Sequence, residues 1–90
     1  MRADRFLKLS RLVRRRAAAA EMLEVGAVRL NGRRAKPSSE VRDGDGMEIA
    51  FPRRLLEVLV LTADERALKR GETSFEIVRE RGLDDWKKPW

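Results

Sequence analysis

Apolar positions along this chain fall first into a helical rhythm and then into an alternating one. Near the start, Ala3, Phe6 and Leu7 share one side of a helix, while Arg2, Arg5 and Lys8 recur every third residue on another. This predicts a short helix over residues 3–9, with Asp4 in its first turn, where a carboxylate meets free N–H groups and the positive dipole end. Ser10-Arg11 marks a turn and a candidate cap. A second helix is predicted from about Arg15 or Arg16 to Glu24, because Ala, Met, Leu and Glu all favour helix. Ala19, Met22 and Leu23 would supply its buried face, and Gly26 suits a left-handed stop.

Beyond Gly26 the period shortens to two. Val28 and Leu30 flank Arg29, Asn31-Gly32 signals a hairpin turn, and Ala35-Lys36 is expected to return as a short strand that Pro37-Ser38-Ser39 breaks. Asp43-Gly44-Asp45-Gly46 reads as a second turn before the alternating Met47-Glu48-Ile49-Ala50-Phe51. Pro52-Arg53-Arg54 turns again into a β-rich run from Leu55 to Leu61. From Ala63 the pattern is ambiguous: residues 63–70 and 73–81 read as helices around Gly71, with Phe75, Ile77 and Val78 available to cap the sheet. Residues 85–90 read as a loose tail, whose Trp86 and Trp90 would pack on the domain or stack on bases. The expected class is α+β: two short N-terminal helices on a small, mostly antiparallel sheet over residues 1–61, then an extension over 62–90, partly helical or flexible.

Composition narrows the chemistry. Ninety residues allow one small domain with a modest core, and 42% apolar residues argue against a wholly disordered chain. There is no Cys and no His, which removes disulfides, thiolate nucleophiles, the usual zinc ligands and the commonest acid–base residue. The acidic turn lacks calcium-loop spacing and its terminal Glu, and no glycine-rich phosphate loop is present. No apolar run is long enough for a bilayer, and the N-terminus has no signal-peptide core. The expectation is a soluble, cytoplasmic, monomeric protein with no catalytic residues, metal, cofactor or membrane partner.

Charge changes the picture more. Residues 1–36 carry eleven Lys/Arg against three acids, whereas residues 37–90 carry ten against twelve, so the whole basic excess lies in the first two-fifths of the chain. A polyanion is the natural partner for such a bias. Arg14, Arg15 and Arg16 stand directly before an alanine-rich helix, where cations oppose the macrodipole by roughly 0.3–1 kcal/mol each. The placement makes sense if a phosphate fills the site, drawn by free N–H groups and held by guanidinium forks. A nuclear-targeting tract fits poorly because the arginines lead into structure, and a membrane-surface helix fits poorly because the apolar stripe is short. A merely solvated face remains the plain alternative. Arg29, Arg33, Arg34 and Lys36 either guard an edge hairpin against aggregation or extend the basic patch.

Two linked stretches also resemble a known domain. Asn31-Gly32-Arg33-Arg34-Ala35-Lys36-Pro37-Ser38, then Val41, Gly44-Asp45, Met47 and Ile49, closely resemble the second half of the αL RNA-binding motif, the domain type of small-ribosomal-subunit protein four. Arg2-Ala3-Asp4-Arg5-Phe6-Leu7-Lys8 and Ser10-Arg11-Leu12, running into Arg15-Arg16, resemble its first half. The resemblance covers about residues 1–61 and implies the same helices-on-sheet fold. Pseudouridine synthases and tyrosyl-tRNA synthetases carry this module beside a catalytic domain, and here nothing is left over to be catalytic. Gly46 departs from the larger residue expected after Gly44-Asp45.

Among free-standing versions, the start MRADRFLKLSRLVRRR looks most like the RqcP (YabO) family of bacterial ribosome-associated quality control. That resemblance implies a factor that binds the obstructed large ribosomal subunit, contacts its ribosomal RNA and the peptidyl-tRNA, and supports nascent-chain tailing by an RqcH-type partner. A close relative, the fifteen-kilodalton ribosome-associated heat-shock protein, implies large-subunit recycling instead. By the resemblance, Arg2, Asp4, Lys8, Arg11, Arg15 and Arg16 match RNA-facing helical positions, and Arg5, Arg33 and Lys36 complete the candidate RNA-binding set. A carboxylate does not bind phosphate, so Asp4 either holds Arg16 or a neighbouring arginine, accepts from a base or ribose hydroxyl, or is a plain helix N-terminal acid. Two other classes compete: a small DNA-binding regulator with two helices and a basic patch, and a protein-interaction adaptor using the apolar segment around Phe75 and Ile77.

Overall fold

A computed structural model describes residues 1–82 of the chain. The tail and its tryptophans, Trp86 and Trp90, lie outside the described residues. Helix α1 spans Ala3–Leu9 and α2 spans Arg16–Glu24, as the apolar spacing predicts. Ala3, Phe6 and Leu7 are fully buried, as are Ala19 and Leu23, the i, i+3, i+4 positions that put both stripes against the same core. Burying a side chain the size of Phe6 or Leu7 contributes roughly 1.5–3 kcal/mol.

The ends of these helices are specified locally. The first N–H groups of α1 do not wait for a side-chain cap: Ala3 donates to the Ser39 carbonyl at 2.8 Å and Asp4 to the Pro37 carbonyl at 3.1 Å. The chain leaves α1 through Arg11, which takes a left-handed conformation (φ 68°) usually given to glycine or asparagine. At the other end of α2, Gly26 (φ 82°) donates to the Leu23 carbonyl and Ala27 to the Met22 carbonyl, closing the helix with a Schellman motif.

The sheet is five-stranded and antiparallel throughout, in the order β2-β1-β3-β4-β5. Strand β1 (Val28–Leu30) turns at Asn31-Gly32, both at positive φ, the geometry of a two-residue hairpin loop. That tight turn places Arg33 and Arg34 opposite Leu30 and Arg29, so β2 is Arg33–Arg34 and not the expected Ala35-Lys36. Ala35 keeps one ladder bond to Val28 but then turns inward, 2% exposed, because its small side chain belongs to the core. Strands β3 (Gly46–Phe51) and β4 (Arg54–Val60) follow as expected. Met47, Ile49, Leu56, Val58 and Val60 point from them into one core with Phe6, Leu7, Ala19 and Leu23. The opposite face carries a charged cross-strand row, with Arg29 against Glu48, Glu48 against Glu57, and Glu57 against Arg79.

The C-terminal part corrects one expectation. Helix α3 (Glu65–Lys69) falls within the expected 63–70, started by the Asp64 carboxylate, which accepts from the Ala67 N–H. Residues 73–81, however, do not form a helix: β5 spans Phe75–Gly82 and pairs with β4. Two physical features hid this strand. A bulge opposite Glu57/Val58 breaks its alternation, and as an edge strand it is almost wholly exposed, so Glu and Arg dominate it. Of the three apolar residues expected to cap the sheet, Phe75 packs against the core while Ile77 and Val78 stay exposed.

Gly26→Ala is expected to destabilise the fold by about 1–2 kcal/mol, the cost of a left-handed non-glycine residue. The added Cβ would also stand 3.2 Å from Arg34 Nε. A fall in the urea unfolding midpoint with an unchanged slope checks this.

Candidate nucleic-acid interface

Asp4 sits at the junction of the two N-terminal helices. It is 4% exposed, a depth at which a carboxylate needs every lone pair occupied. Arg2 closes a fork on it, with Nε 3.2 Å from Oδ1 and Nη2 3.2 Å from Oδ2. The Arg5 N–H donates to Oδ1 at 2.7 Å, and Arg16, the first residue of α2, brings Nε to 3.5 Å from Oδ2. Burial alone would push this carboxyl up. The Arg2 hydrogen bond, the Arg5 N–H and the charges of Arg16 and Arg2 outweigh burial and hold it below its ordinary value. Asp4 is thus an anion gripping two guanidiniums whose outer portions stay half-exposed, 53% for Arg2 and 48% for Arg16. The group keeps a net positive charge, with both arginine side chains half open to water.

The remaining candidate residues divide by their partners. Arg5 is one position from Asp4 and so turned about 100° around α1; its Nε lies 2.5 Å from Glu65 of α3. It stands apart from the Arg2–Asp4–Arg16 group. Lys8, Arg11 and Arg15 are exposed, and no ion pair to them forms among the described residues. Arg15 is the N-cap of α2, with no side-chain cap bond and no acid in the following turn. Arg33 is exposed on β2 at the hairpin tip.

Lys36 is brought close to α1 by the carbonyl bonds from Pro37 and Ser39. It lines an open cleft of about 660 Å³ together with Arg2, Arg34, Pro37 and Ser38, with Leu23 and Glu24 of α2 on the other side. Arg34, which the sequence offered as an edge guard or an extension of the basic patch but not in the RNA-binding set, belongs to this cleft. Its signal was indirect: a glycine ending α2 and a hairpin register that returns residue 34 to that glycine. Among the described residues no cluster of acidic side chains could hold a metal ion, and no helix is long and apolar enough to cross a membrane.

The sequence pattern of the S4 domain matches residues 1–46, the part of the chain that holds both helices, the hairpin and the cleft loop. Full-length relatives agree. The RQC P-site tRNA stabilizing factor of Listeria monocytogenes is 36% identical over 86 residues, covering 94% of each chain. That of Bacillus subtilis is 36% identical over 86 residues, covering 94% of this chain and all of its own. This chain belongs to the S4-domain family of RQC P-site tRNA stabilizing factors. The family member of Helicobacter pylori strain J99 is 46% identical over 61 residues, 68% of this chain and 73% of its own. Among solved structures, the heat shock protein 15 of Vibrio cholerae, described as trimeric, superposes with a TM-score of 0.76 at 25% identity, covering 87% of this chain and 81% of its own. The hypothetical protein HP1423, solved in solution, superposes at 0.71 with 34% identity, covering 88% and 98%.

Folding lowers the Asp4 carboxyl below its ordinary 3.8, so its contribution to stability is complete above that value and is lost as pH falls through the depressed folded value. Asp4→Asn is expected to cost about 1–3 kcal/mol at neutral pH, since an amide cannot satisfy two guanidiniums and an N–H. The gap between variant and parent should close in acid below 3.8. Urea titrations at neutral and acid pH measure both.

Proposed function

We propose that this protein is a non-enzymatic RNA-binding factor that occupies the obstructed large ribosomal subunit. There it contacts ribosomal RNA and the peptidyl-tRNA and supports tailing of the nascent chain by an RqcH-type partner, acting as a monomer in the cytoplasm. The observation that carries this reading is the Asp4 junction, where a buried carboxylate fixes two half-exposed arginines from different helices. A stability role alone would not leave both arginine side chains half open to water. The full-length relatives, named for stabilising P-site tRNA, supply the setting.

The mechanism is phosphate clamping. Arg2 and Arg16 are pre-positioned donors for backbone phosphates, and Lys8, Arg11 and Arg15 extend the clamp along the α1–α2 turn. Arg33 and Lys36 flank it from the hairpin. Asp4 orients and does not touch phosphate, and Arg5, spent on Glu65, contributes least. A-form RNA hides its base edges in a deep groove, so such a clamp reads shape and backbone. Residues 1–61 would carry this surface, with the later segment buttressing it through α3 and β5.

The likeness to heat shock protein 15 favours a second reading, large-subunit recycling without tailing. Loss of C-terminal tails on stalled chains in cells lacking the protein supports the first reading, and intact tails support the second.

The protein is expected to co-sediment with tRNA-bearing large subunits at low salt. Replacing Arg15 and Arg16 by Ala should weaken binding at least about tenfold and reduce the salt slope by about two. Wild-type protein left at the top of a low-salt gradient would exclude the ribosomal reading.

A further inference from the structure

We propose that the cleft between α2 and the Lys36–Ser38 loop takes a single unstacked RNA base, with the Arg34 guanidinium as its stacking platform. The inference rests on the RNA-binding reading above and names a subsite within it. The Arg34 guanidinium is fastened in place by the backbone of α2 and not by an acid. Its Nη2 donates to the Glu24 carbonyl at the end of α2. A Cβ on Gly26 would lie 3.2 Å from Nε, 3.3 Å from Cζ and 3.6 Å from Cδ, so one face of the guanidinium rests on that glycine. Arg34 also lines the cleft.

What the cleft offers matches a nucleotide better than a bare anion. Its walls are largely apolar, with Pro37 and Leu23 among the lining residues. Phosphate alone needs converging donors, whereas a planar base needs a flat, weakly hydrated surface, and an Arg plane is one of the surfaces on which unpaired bases stack. The volume of about 660 Å³ lies in the range that accommodates a small ligand. Charge is complementary, since Arg2, Arg34 and Lys36 face one acid, Glu24. Arg2 also belongs to the Asp4 junction, so a base in the cleft and a phosphate at the junction can belong to neighbouring positions of one strand. The helical clamp grips backbone; this cleft recognises a nucleotide that has left its stack.

The test uses the full chain and two RNA hairpins differing by one bulged adenosine, titrated at the same salt concentration. The bulged hairpin should bind ~5–10-fold tighter, the lower range of what stacking one base contributes. Arg34→Lys keeps the charge but loses the plane, and should erase that preference while leaving the plain hairpin within about twofold. Because Arg34 also closes α2, helix content is checked by circular dichroism, and a second measurement does not depend on the variant. In NMR titrations of the wild type, adenosine monophosphate should move the Arg34 and Pro37 side-chain protons upfield through its ring current, and ribose 5-phosphate should not. Equal affinities for the two hairpins, or the same shifts from both small ligands, would overturn the proposal. Failure of the underlying RNA reading looks different: neither hairpin would bind at low salt.

Discussion

Two guanidiniums brought together from different helices repel each other by about 1–4 kcal/mol at contact range, depending on how much water screens them. Asp4 reverses that sign. By accepting from Arg2 and the Arg5 N–H and pairing with the charge of Arg16, one buried carboxylate makes the close approach of α1 and α2 electrostatically favourable, and it aims the two side chains as it does so. Such an anion would be costly to bury without partners and is stabilised with them. The junction therefore joins stability to function: the interaction that docks the start of α2 on the start of α1 also sets the geometry of the basic surface.

Other parts of the fold serve this junction. The Pro37 and Ser39 carbonyls take the first N–H groups of α1, which ties the loop after the hairpin to the helix that carries Arg2 and Asp4. Glu65 of α3 takes Arg5 out of the cationic surface and braces α1 from the other side. The outer face of the sheet neutralises itself, with Arg29 and Arg79 flanking the facing pair Glu48 and Glu57. The turn from α1 into α2 carries four exposed cations, Lys8, Arg11, Arg14 and Arg15, to which no ion pair forms among the described residues. Arg11 holds a left-handed backbone there, where a glycine would fit with less strain. A strained arginine at an exposed turn fits a side chain kept for contact.

Much of the fold was legible in local pattern because local physics specifies it. The 3.6-residue spacing of Ala3, Phe6 and Leu7, the glycine after α2 and the Asn31-Gly32 turn each determine their own geometry. What sequence reasoning missed depends on partners far along the chain. Strand β5 exists because β4 offers an edge, and its bulge and exposed charges mimic helix composition. The return strand of the hairpin was misplaced by two residues because Ala35 follows the core inward. In the site, the basic bias and the charge set were visible, but their division was not. That Arg5 pairs with Glu65, sixty positions away, and that Arg34 lies on Gly26 are facts of packing. Asp4 had three readings in the sequence, and the geometry shows it holding both Arg2 and Arg16.

The central claim is that Asp4 promotes RNA binding by orienting cations although its own charge repels RNA. The affinity of Asp4→Asn for tRNA-bearing large subunits, measured at fixed salt where the variant remains folded, tests this by sign alone. Removing a negative charge from a phosphate-binding surface should tighten binding if charge is all that matters. The positioning account predicts the opposite, a loss of about tenfold, or roughly 1.4 kcal/mol. Unchanged or tighter binding by the variant would contradict it.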